Sequence, residues 1–81
     1  EKGEMITVTL TAENTLYLNK RPMKMDDLIP FAARLWKEKK LPVLISADQK
    51  AELGIGIELL SKLKKSGIER VIFQVDDKTK K

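Results

Sequence analysis

Carboxylates and glycines are the residues that could do chemistry here, because the chain contains no histidine and no cysteine. Without histidine it lacks the commonest general base and metal ligand. Without cysteine it lacks thiol nucleophiles, disulfides and cysteine metal sites. Two carboxylate pairs remain, Asp26 with Asp27 and Glu52 with Glu58, but paired catalysis needs a cleft that perturbs ionisation. We interpret these acids as solvated, and predict no catalytic residue, metal ligand or cofactor, and a protein that is not an enzyme.

Two glycines, Gly54 and Gly56, resemble part of a phosphate-binding loop. A dinucleotide fingerprint needs a third glycine where Leu59 stands, and a Walker loop needs Gly-Lys-Ser/Thr. Recognition of single-stranded RNA by a KH domain needs Gly-x-x-Gly, which is also missing. We therefore interpret both glycines as part of a helix start.

The size and composition of the chain indicate one folded domain. Its 81 residues suffice for a single domain over 1–81, with a folded core expected over about 5–75. Hydrophobic residues at 42% and charged residues at 35% suit a folded domain with a solvated surface. The net charge of +4 is a mild excess, part of which belongs to a basic segment, 76–81, that we expect to be flexible. No apolar run approaches the roughly 20 residues of a membrane helix, and no signal peptide opens the chain.

Alternating apolar residues predict two strands near the start, over 5–11 and 15–18, joined as a hairpin. Pro22 is expected to end any further strand pairing. A first helix is predicted over 25–39, where apolar residues recur at helical spacing, acids come first and lysines come last. Pro30 is awkward inside this helix, so we expect the helix either to start near Asp26 or Asp27 or to bend at Pro30.

The second half of the chain alternates strand and helix. A short apolar run at 43–47 predicts a buried central strand, followed by a polar loop and a second helix over about 53–66. The predicted apolar stripe of this helix comprises Leu53, Gly56, Leu59, Leu60 and Leu63. Gly67 suits a left-handed position after the helix. Residues 70–75 predict the last strand, with Val71, Phe73 and Val75 facing the core.

The predicted order is strand, strand, helix, strand, helix, strand. A helix joins the last two strands, which should therefore be parallel neighbours with a right-handed crossover. We expect a two-layer α+β domain, with a mixed sheet and both helices on one of its faces.

Short motifs accompany this order of elements. They are the strand exit Leu16-Tyr17-Leu18-Asn19, the helix entry Met25-Asp26-Asp27-Leu28, the strand Val43-Leu44-Ile45-Ser46-Ala47-Asp48, Gly54 at the second helix, and Ser66-Gly67-Ile68 at its end. Over about 5–75 the set resembles the periplasmic domain of the ExbD/TolR family. Leu53 stands where the family often has an aromatic residue, Lys24 stands where it often has Ser or Thr, and Pro30 is unusual.

The resemblance implies a coupling function without catalysis. Members have one transmembrane helix and a periplasmic domain, and work with a polytopic ExbB-like partner as a proton-driven motor. We therefore expect the periplasmic domain of a single-pass inner-membrane protein, beginning after the membrane helix and forming a homodimer in the full-length protein. An ExbD-like role, which passes energy to a TonB-like protein for outer-membrane transport, is favoured. The alternative is a TolR-like role in a Tol–Pal system, with peptidoglycan as the ligand.

The last strand carries the predicted partner-binding site. If Val71, Phe73 and Val75 face the core, Ile72 faces the uncovered side, where an exposed edge or face suits dimerisation or the addition of a partner strand. The predicted site comprises Ile72, Gln74, Arg70 and Asp48. For Asp48 a turn or cap, with its side chain accepting backbone N–H bonds, is the favoured interpretation and ligand contact the alternative.

Two further hypotheses concern aromatic and basic residues. Trp36 is expected to be partly buried in the core, with partner contact as the alternative. The lysines at 37, 39, 40, 62, 64 and 65 are interpreted as solvated helix ends. A cytoplasmic module that binds nucleic acid through a basic surface is a third hypothesis, but the mild charge and the missing motifs argue against it. No nucleic-acid partner is predicted.

Overall fold

Five strands and two helices make up the domain, in a computed structural model that describes residues 4–76. The strands are β1 (Ile6–Leu10), β2 (Leu16–Leu18), β3 (Arg21–Pro22), β4 (Val43–Asp48) and β5 (Val71–Asp76). The helices are α1 (Met25–Lys39), between β3 and β4, and α2 (Leu53–Lys65), between β4 and β5. The predicted bounds of α1 are confirmed, and α2 ends one residue earlier than predicted.

The strands form one mixed sheet in the order β3-β2-β1-β4-β5. β2 is antiparallel to both β1 and β3, whereas β4 is parallel to both β1 and β5. The predicted hairpin and the predicted parallel pairing of the last two strands are confirmed. The parallel pairing of β1 with β4 places β1 at the centre of the sheet, and among the described residues β5 is an edge strand whose one neighbour is β4.

The core lies between the two helices and one face of the sheet, as predicted for a two-layer α+β domain. Alternate side chains of β1 and β4 are fully or almost fully buried, which is the period-two pattern of strands covered on one side. The helices contribute Leu28, Ala32 and Trp36 from α1, and Leu59 and Leu63 from α2. Burial of Trp36 is thereby confirmed.

Pro30 lies inside α1, five residues after its first residue. Of the two predicted solutions, the structure shows the first, a helix start near Asp26, because α1 begins at Met25, one residue before Asp26. The proline ring removes the N–H that would bond the Asp26 carbonyl. Both Asp26 and Pro30 are exposed, so water can bind that carbonyl.

The prediction that Pro22 ends strand pairing is wrong, because Pro22 pairs with Tyr17 and Arg21 pairs with Leu18. Asn19 adopts a φ of 58° and so reverses the chain within two residues. Its Oδ1 accepts the Thr7 N–H at 3.2 Å, which ties the turn to β1. Proline is tolerated in β3 because this is an edge strand, where one side of the backbone has no partner.

Two predicted helix-end features can be compared with the structure. Gly67, which follows the C-cap Ser66 of α2, has a φ of +104°, and its N–H bonds the Lys64 carbonyl at 3.1 Å, which confirms the predicted left-handed position. α1 ends without such a glycine, and Lys40 adopts the left-handed conformation there, with its ammonium 5.0 Å from the centre of the Trp36 ring. β5 extends to Asp76, and the rest of the predicted basic tail lies outside the described residues.

A candidate partner-binding edge

The outer side of β5 is a free sheet edge within the described residues. The Val43 N–H donates to the Arg70 carbonyl at 3.0 Å, and the Gln49 N–H donates to the Asp76 carbonyl at 3.2 Å. In a parallel ladder, alternate residues of a strand turn both backbone groups toward the same neighbour. The even-numbered residues of β5 therefore bond β4, and the odd-numbered residues Val71, Phe73 and Val75 present their N–H and C=O groups to the free edge.

Three of the four predicted site residues lie along this strand on one face of the sheet. Ile72 and Gln74 pair with Leu44 and Ser46 of β4, which belong to the face that the helices leave uncovered. Arg70, directly before β5, is exposed and continues the same alternation. Ile72 is 44% exposed, and with the partly covered Leu44 it forms an apolar pair at the edge. The structure thus brings Arg70, Ile72 and Gln74 together.

Asp48 lies on the same face, at the far end of β4, where it pairs with Asp76 of β5. Its Oδ1 accepts the Lys50 N–H at 2.8 Å, and its carbonyl accepts the Ala51 N–H at 2.9 Å. One bond is made by the side chain and the other by the backbone of Asp48, and together they organise a turn. The favoured interpretation of Asp48 as a turn residue is therefore confirmed, and Asp48 shapes the end of the edge rather than its middle.

Sequence reasoning missed a second apolar surface, on the helix side of the same edge. Leu53 and Ile57, one turn apart on α2, are 63% and 53% exposed, and Val75 of β5 is 56% exposed. A right-handed crossover from β4 to β5 turns this flank of α2 toward the outer side of β5. We call Leu53, Ile57 and Val75 the apolar flank. Two predictions are corrected here: Leu53 is not part of the buried stripe of α2, and Val75 is not covered by the core.

Leu53 stays exposed because it opens α2 beside the sheet, whereas the buried contacts begin with the next turn. A helical-spacing count cannot separate these positions, since Leu53 and Gly56 are both apolar and three residues apart. The available signal in the sequence was that α2 has more apolar residues than one buried stripe needs. Ile55, which the predicted stripe omitted, packs against the core instead.

Gly56 sets the distance between α2 and β5. A Cβ atom built at Gly56 would lie 2.8 Å from Cε2 and 2.9 Å from Cζ of Phe73, which is closer than real Cβ contacts. The Phe73 ring therefore occupies the space that a side chain at position 56 would need. By contrast, a Cβ at Gly54 would meet nothing within 4 Å. Gly56 thus serves the packing of α2 on β5 and Gly54 does not, and both lie in the first turn of α2, in agreement with their interpretation as part of a helix start.

The turn between β1 and β2 is hydrogen-bonded to the start of α2. Asn14 has a φ of 67° in the β1–β2 turn, and its Oδ1 accepts the Glu52 N–H at 2.8 Å. Glu52 is the N-cap of α2 and makes no side-chain cap of its own. The bond joins residues 38 positions apart and so fixes the end of α2 that carries Leu53.

The remaining carboxylates of interest take ordinary roles. Glu58 pairs with Lys62 at 3.2 Å across one turn of α2, with both side chains about half exposed. Asp26 and Asp27 lie in the first turn of α1, where acids favour the positive end of the helix dipole. Among residues 4–76, no group of three or more acidic side chains is placed to hold a metal ion. Nor is any helix in that part of the chain long and apolar enough to cross a membrane.

The fold and this edge define a class: a small two-layer α+β domain that offers a sheet edge between two apolar surfaces, as strand-adding binding domains do. Comparison with protein families identifies the family to which the chain belongs. The family described as Biopolymer transport protein ExbD/TolR matches residues 1–78, and the chain belongs to this family. A search of curated proteins gives no match.

Membership confirms the resemblance read from the sequence and carries a general role, that of an energy-transducing component of biopolymer transport. The family consists of transport accessory proteins rather than enzymes, and its members act in ExbB–ExbD–TonB or Tol–Pal complexes with other proteins. They are anchored in the inner membrane and carry a periplasmic domain. The match covers both types of member and does not divide them.

Proposed function

We propose that this chain is the non-catalytic periplasmic domain of an ExbD-like protein, driven by the proton motive force. In this role it couples an inner-membrane motor, containing an ExbB-like protein, to a TonB-type partner for outer-membrane transport. The partner binds by adding an extended segment to the free edge of β5.

The observation that carries the proposal is the free backbone of β5 between two exposed apolar surfaces. An incoming strand would bond the N–H and C=O groups of Val71, Phe73 and Val75. Its side chains would alternate between Ile72 on the open face and the apolar flank on the helix face. Backbone bonds supply affinity in this mode, and the two rows of side-chain contacts supply selectivity.

Rigid support behind the edge suits a domain that transmits force. β5 is bonded along its whole inner side to β4, from Val43 to Asp48, and Phe73 is held under α2 at Gly56. A segment added to such a strand is attached to the central sheet rather than to a loop. Arg70 and Gln74 then contact the partner from the open face, as predicted from the sequence.

Homodimerisation is part of the proposal, because the same edge could pair with a second copy. Dimer and partner binding at one edge would compete, whereas a dimer formed elsewhere would leave the edge to the partner. Partner addition should therefore dissociate a dimer formed through β5, whereas a dimer formed through another surface should bind the partner and remain a dimer.

The proposal is tested by a two-dimensional amide NMR titration with the periplasmic segment of a TonB-type protein from the same source. Saturable shifts at 70–76 and at Leu53 and Ile57 are expected, with little change in α1. A parallel titration with soluble peptidoglycan fragments serves as the comparison. Shifts caused by the fragments and none by the segment would overturn the ExbD-like proposal in favour of the TolR-like role.

A further inference from the structure

The charges of the domain are divided between its two ends. β1, β4 and β5 all begin at one end, which α1 and α2 reach with their last turns. Six lysines come from these helix ends: Lys37, Lys39, Lys40, Lys62, Lys64 and Lys65. Four more basic residues join them: Lys20 from the β2–β3 turn, Arg21 from β3, Arg34 from the body of α1 and Arg70 from the position before β5. We call this end, with its ten basic residues, the basic pole.

The opposite end is acidic. The acids at the basic pole are Glu4, Glu38, Glu58 and Glu69, fewer than half the number of its basic residues. At the other end, counted over residues 4–76, lie six acids, Glu13, Asp26, Asp27, Asp48, Glu52 and Asp76, and two basic residues, Lys24 and Lys50. A modest net charge of +4 for the chain therefore conceals a strongly polarised domain.

Helix termini account for only part of the basic pole. Lysines near the C-terminus of a helix interact favourably with its dipole, which is an ordinary reason for six of the ten. Lys20, Arg21 and Arg70 lie outside the helices, and Arg34 lies five residues before the end of α1. The dipole does not explain these four.

All ten basic side chains are exposed, and they make little use of internal partners. Within residues 4–76, Lys62 forms an ion pair, with Glu58, and Lys40 lies over the Trp36 ring. Arg34, Lys37 and Lys40 also line an open groove of about 650 Å³ between the ends of α1 and α2, with Trp36 in its wall. Charge at the basic pole is thus available to an external anion.

We propose that the basic pole docks on an anionic phospholipid surface and holds the domain upright, with its strands along the membrane normal. Lysines and arginines near such a surface are attracted by its negative potential. They come from four separate segments around one end of the domain, which suits a flat surface better than the groove or stripe typical of nucleic-acid binders.

The membrane is the chosen partner because the inference rests on the proposed function. A protein anchored ahead of β1 would enter the sheet at Ile6, and β1 begins at the basic pole. Docking there points the end of β5 at Asp76 away from the membrane. A partner segment added to β5 would then run along the direction in which force must cross the periplasm.

The test is cosedimentation of the 81-residue chain with lipid vesicles. Vesicles of phosphatidylcholine mixed with phosphatidylglycerol are compared with vesicles of phosphatidylcholine alone. Binding to the anionic vesicles is expected at about 0.01 M ionic strength, with loss at about 1 M, where charges are screened beyond about 3 Å. Equal binding to both kinds of vesicle, or none to the anionic ones at low salt, would overturn the proposal.

Two double variants with the same change of net charge locate the contact. Lys37→Gln with Lys64→Gln neutralises two lysines at the basic pole, and affinity for anionic vesicles should fall about 25-fold, from about fivefold per lysine. Lys24→Gln with Lys50→Gln neutralises the two lysines at the acidic end and should leave affinity within about twofold. Both variants keep the chain ends unchanged. An equal loss of affinity in the two variants would mean that net charge alone drives binding, and it would contradict a contact through the basic pole.

Competition separates the membrane from other polyanions. A short DNA duplex and peptidoglycan sacculi are tested at the same low salt. Tighter binding to either one than to anionic vesicles would replace the membrane as the partner of this surface. None of the four substituted lysines lies in β5 or in the partner-binding site, so failure of docking leaves the partner titration intact, and failure of that titration leaves vesicle binding intact.

Discussion

The two edges of the sheet are built in opposite ways. β3 has two residues, of which Arg21 is charged and Pro22 has no N–H to offer. β5 has six residues, contains no proline, lysine or arginine, and carries exposed Ile72 and Val75. Short, charged or proline-bearing edges are the usual protection against unwanted strand pairing. One edge is therefore protected, and the other has been left able to pair.

This difference indicates that a partner would bind at β5 rather than at β3. The fold needs β5 to cover β4, but it does not need β5 to be regular over six residues or to lie between two apolar surfaces. An unprotected sheet edge carries an aggregation risk. A partner strand, or a second copy, that covers the edge removes the risk and accounts for the exposed residues on both sides.

The largest effect should come from protecting β5 in the way β3 is protected. Val75→Pro removes an N–H that points to the free edge and leaves the ladder with β4 intact. We expect partner binding to weaken by at least about tenfold, since a backbone bond is lost and the ring obstructs an incoming strand. Isothermal titration calorimetry with the TonB-type segment measures this.

Val75→Thr is the matched control, because it keeps the N–H and the β-branched shape. It should lower affinity by less than about threefold, through the lost apolar contact alone. Equal losses in the two variants would mean that the backbone at the edge does not bind the partner.

Charge on the open face should have the next largest effect. Ile72→Lys replaces an exposed apolar contact with a charge, and we expect roughly fivefold weaker self-association or partner binding in a folded domain. Thr9→Lys adds the same charge to the same face on β1, about 10 Å from β5, and should change binding little. Unchanged binding in a folded Ile72→Lys domain would remove the open face from the site.

The glycines of α2 separate the support of the edge from the edge itself. Gly56→Ala pushes a methyl group into the Phe73 ring, and should lower the free energy of unfolding by about 1–3 kcal/mol. Gly54→Ala meets no neighbour, and should raise it by about 0.5–1 kcal/mol by favouring helix. Chemical denaturation of both variants checks the pair. A stabilised Gly56→Ala domain would show that α2 does not press on β5 at this point.

The smallest effect is expected at the protected edge. Pro22→Val restores an N–H and a strand-forming side chain to β3, and the unfolding free energy should change by less than about 1 kcal/mol. Self-association should increase only slightly, because β3 remains two residues long with Arg21 in it. Analytical ultracentrifugation measures the association. Strong dimerisation of this variant would show that Pro22 alone prevents strand pairing at the β3 edge.

Much of the fold follows from local patterns in the sequence. The bounds of α1, the parallel pairing of β4 with β5 and the left-handed Gly67 come from periodicity, chain connection and helix-end chemistry, which act over a few residues. β3 was missed because Pro22 is a poor strand residue in general, and only its place at an edge makes it acceptable. The pairing of β1 with β4 joins distant segments, so no local pattern announces it.

The candidate site, like the fold, could be predicted from the sequence only where local patterns determine it. Alternation along β5 placed Ile72 and Gln74 on the open face correctly. The apolar flank was missed, because Leu53 and Ile57 acquire their meaning only when α2 is laid beside β5. The basic pole was missed for a similar reason: each lysine looks like an ordinary helix end until the topology gathers four segments at one end of the domain.

Amide hydrogen exchange along β5, with and without the TonB-type segment, tests the central claim most directly. In the free domain the N–H groups of Ile72, Gln74 and Asp76 bond β4 and should exchange slowly, whereas those of Val71, Phe73 and Val75 face the edge and should exchange fast. Saturating segment should slow the odd-numbered set and leave the even-numbered set unchanged. If the segment binds and the odd-numbered amides still exchange as in the free domain, the partner does not add to this edge.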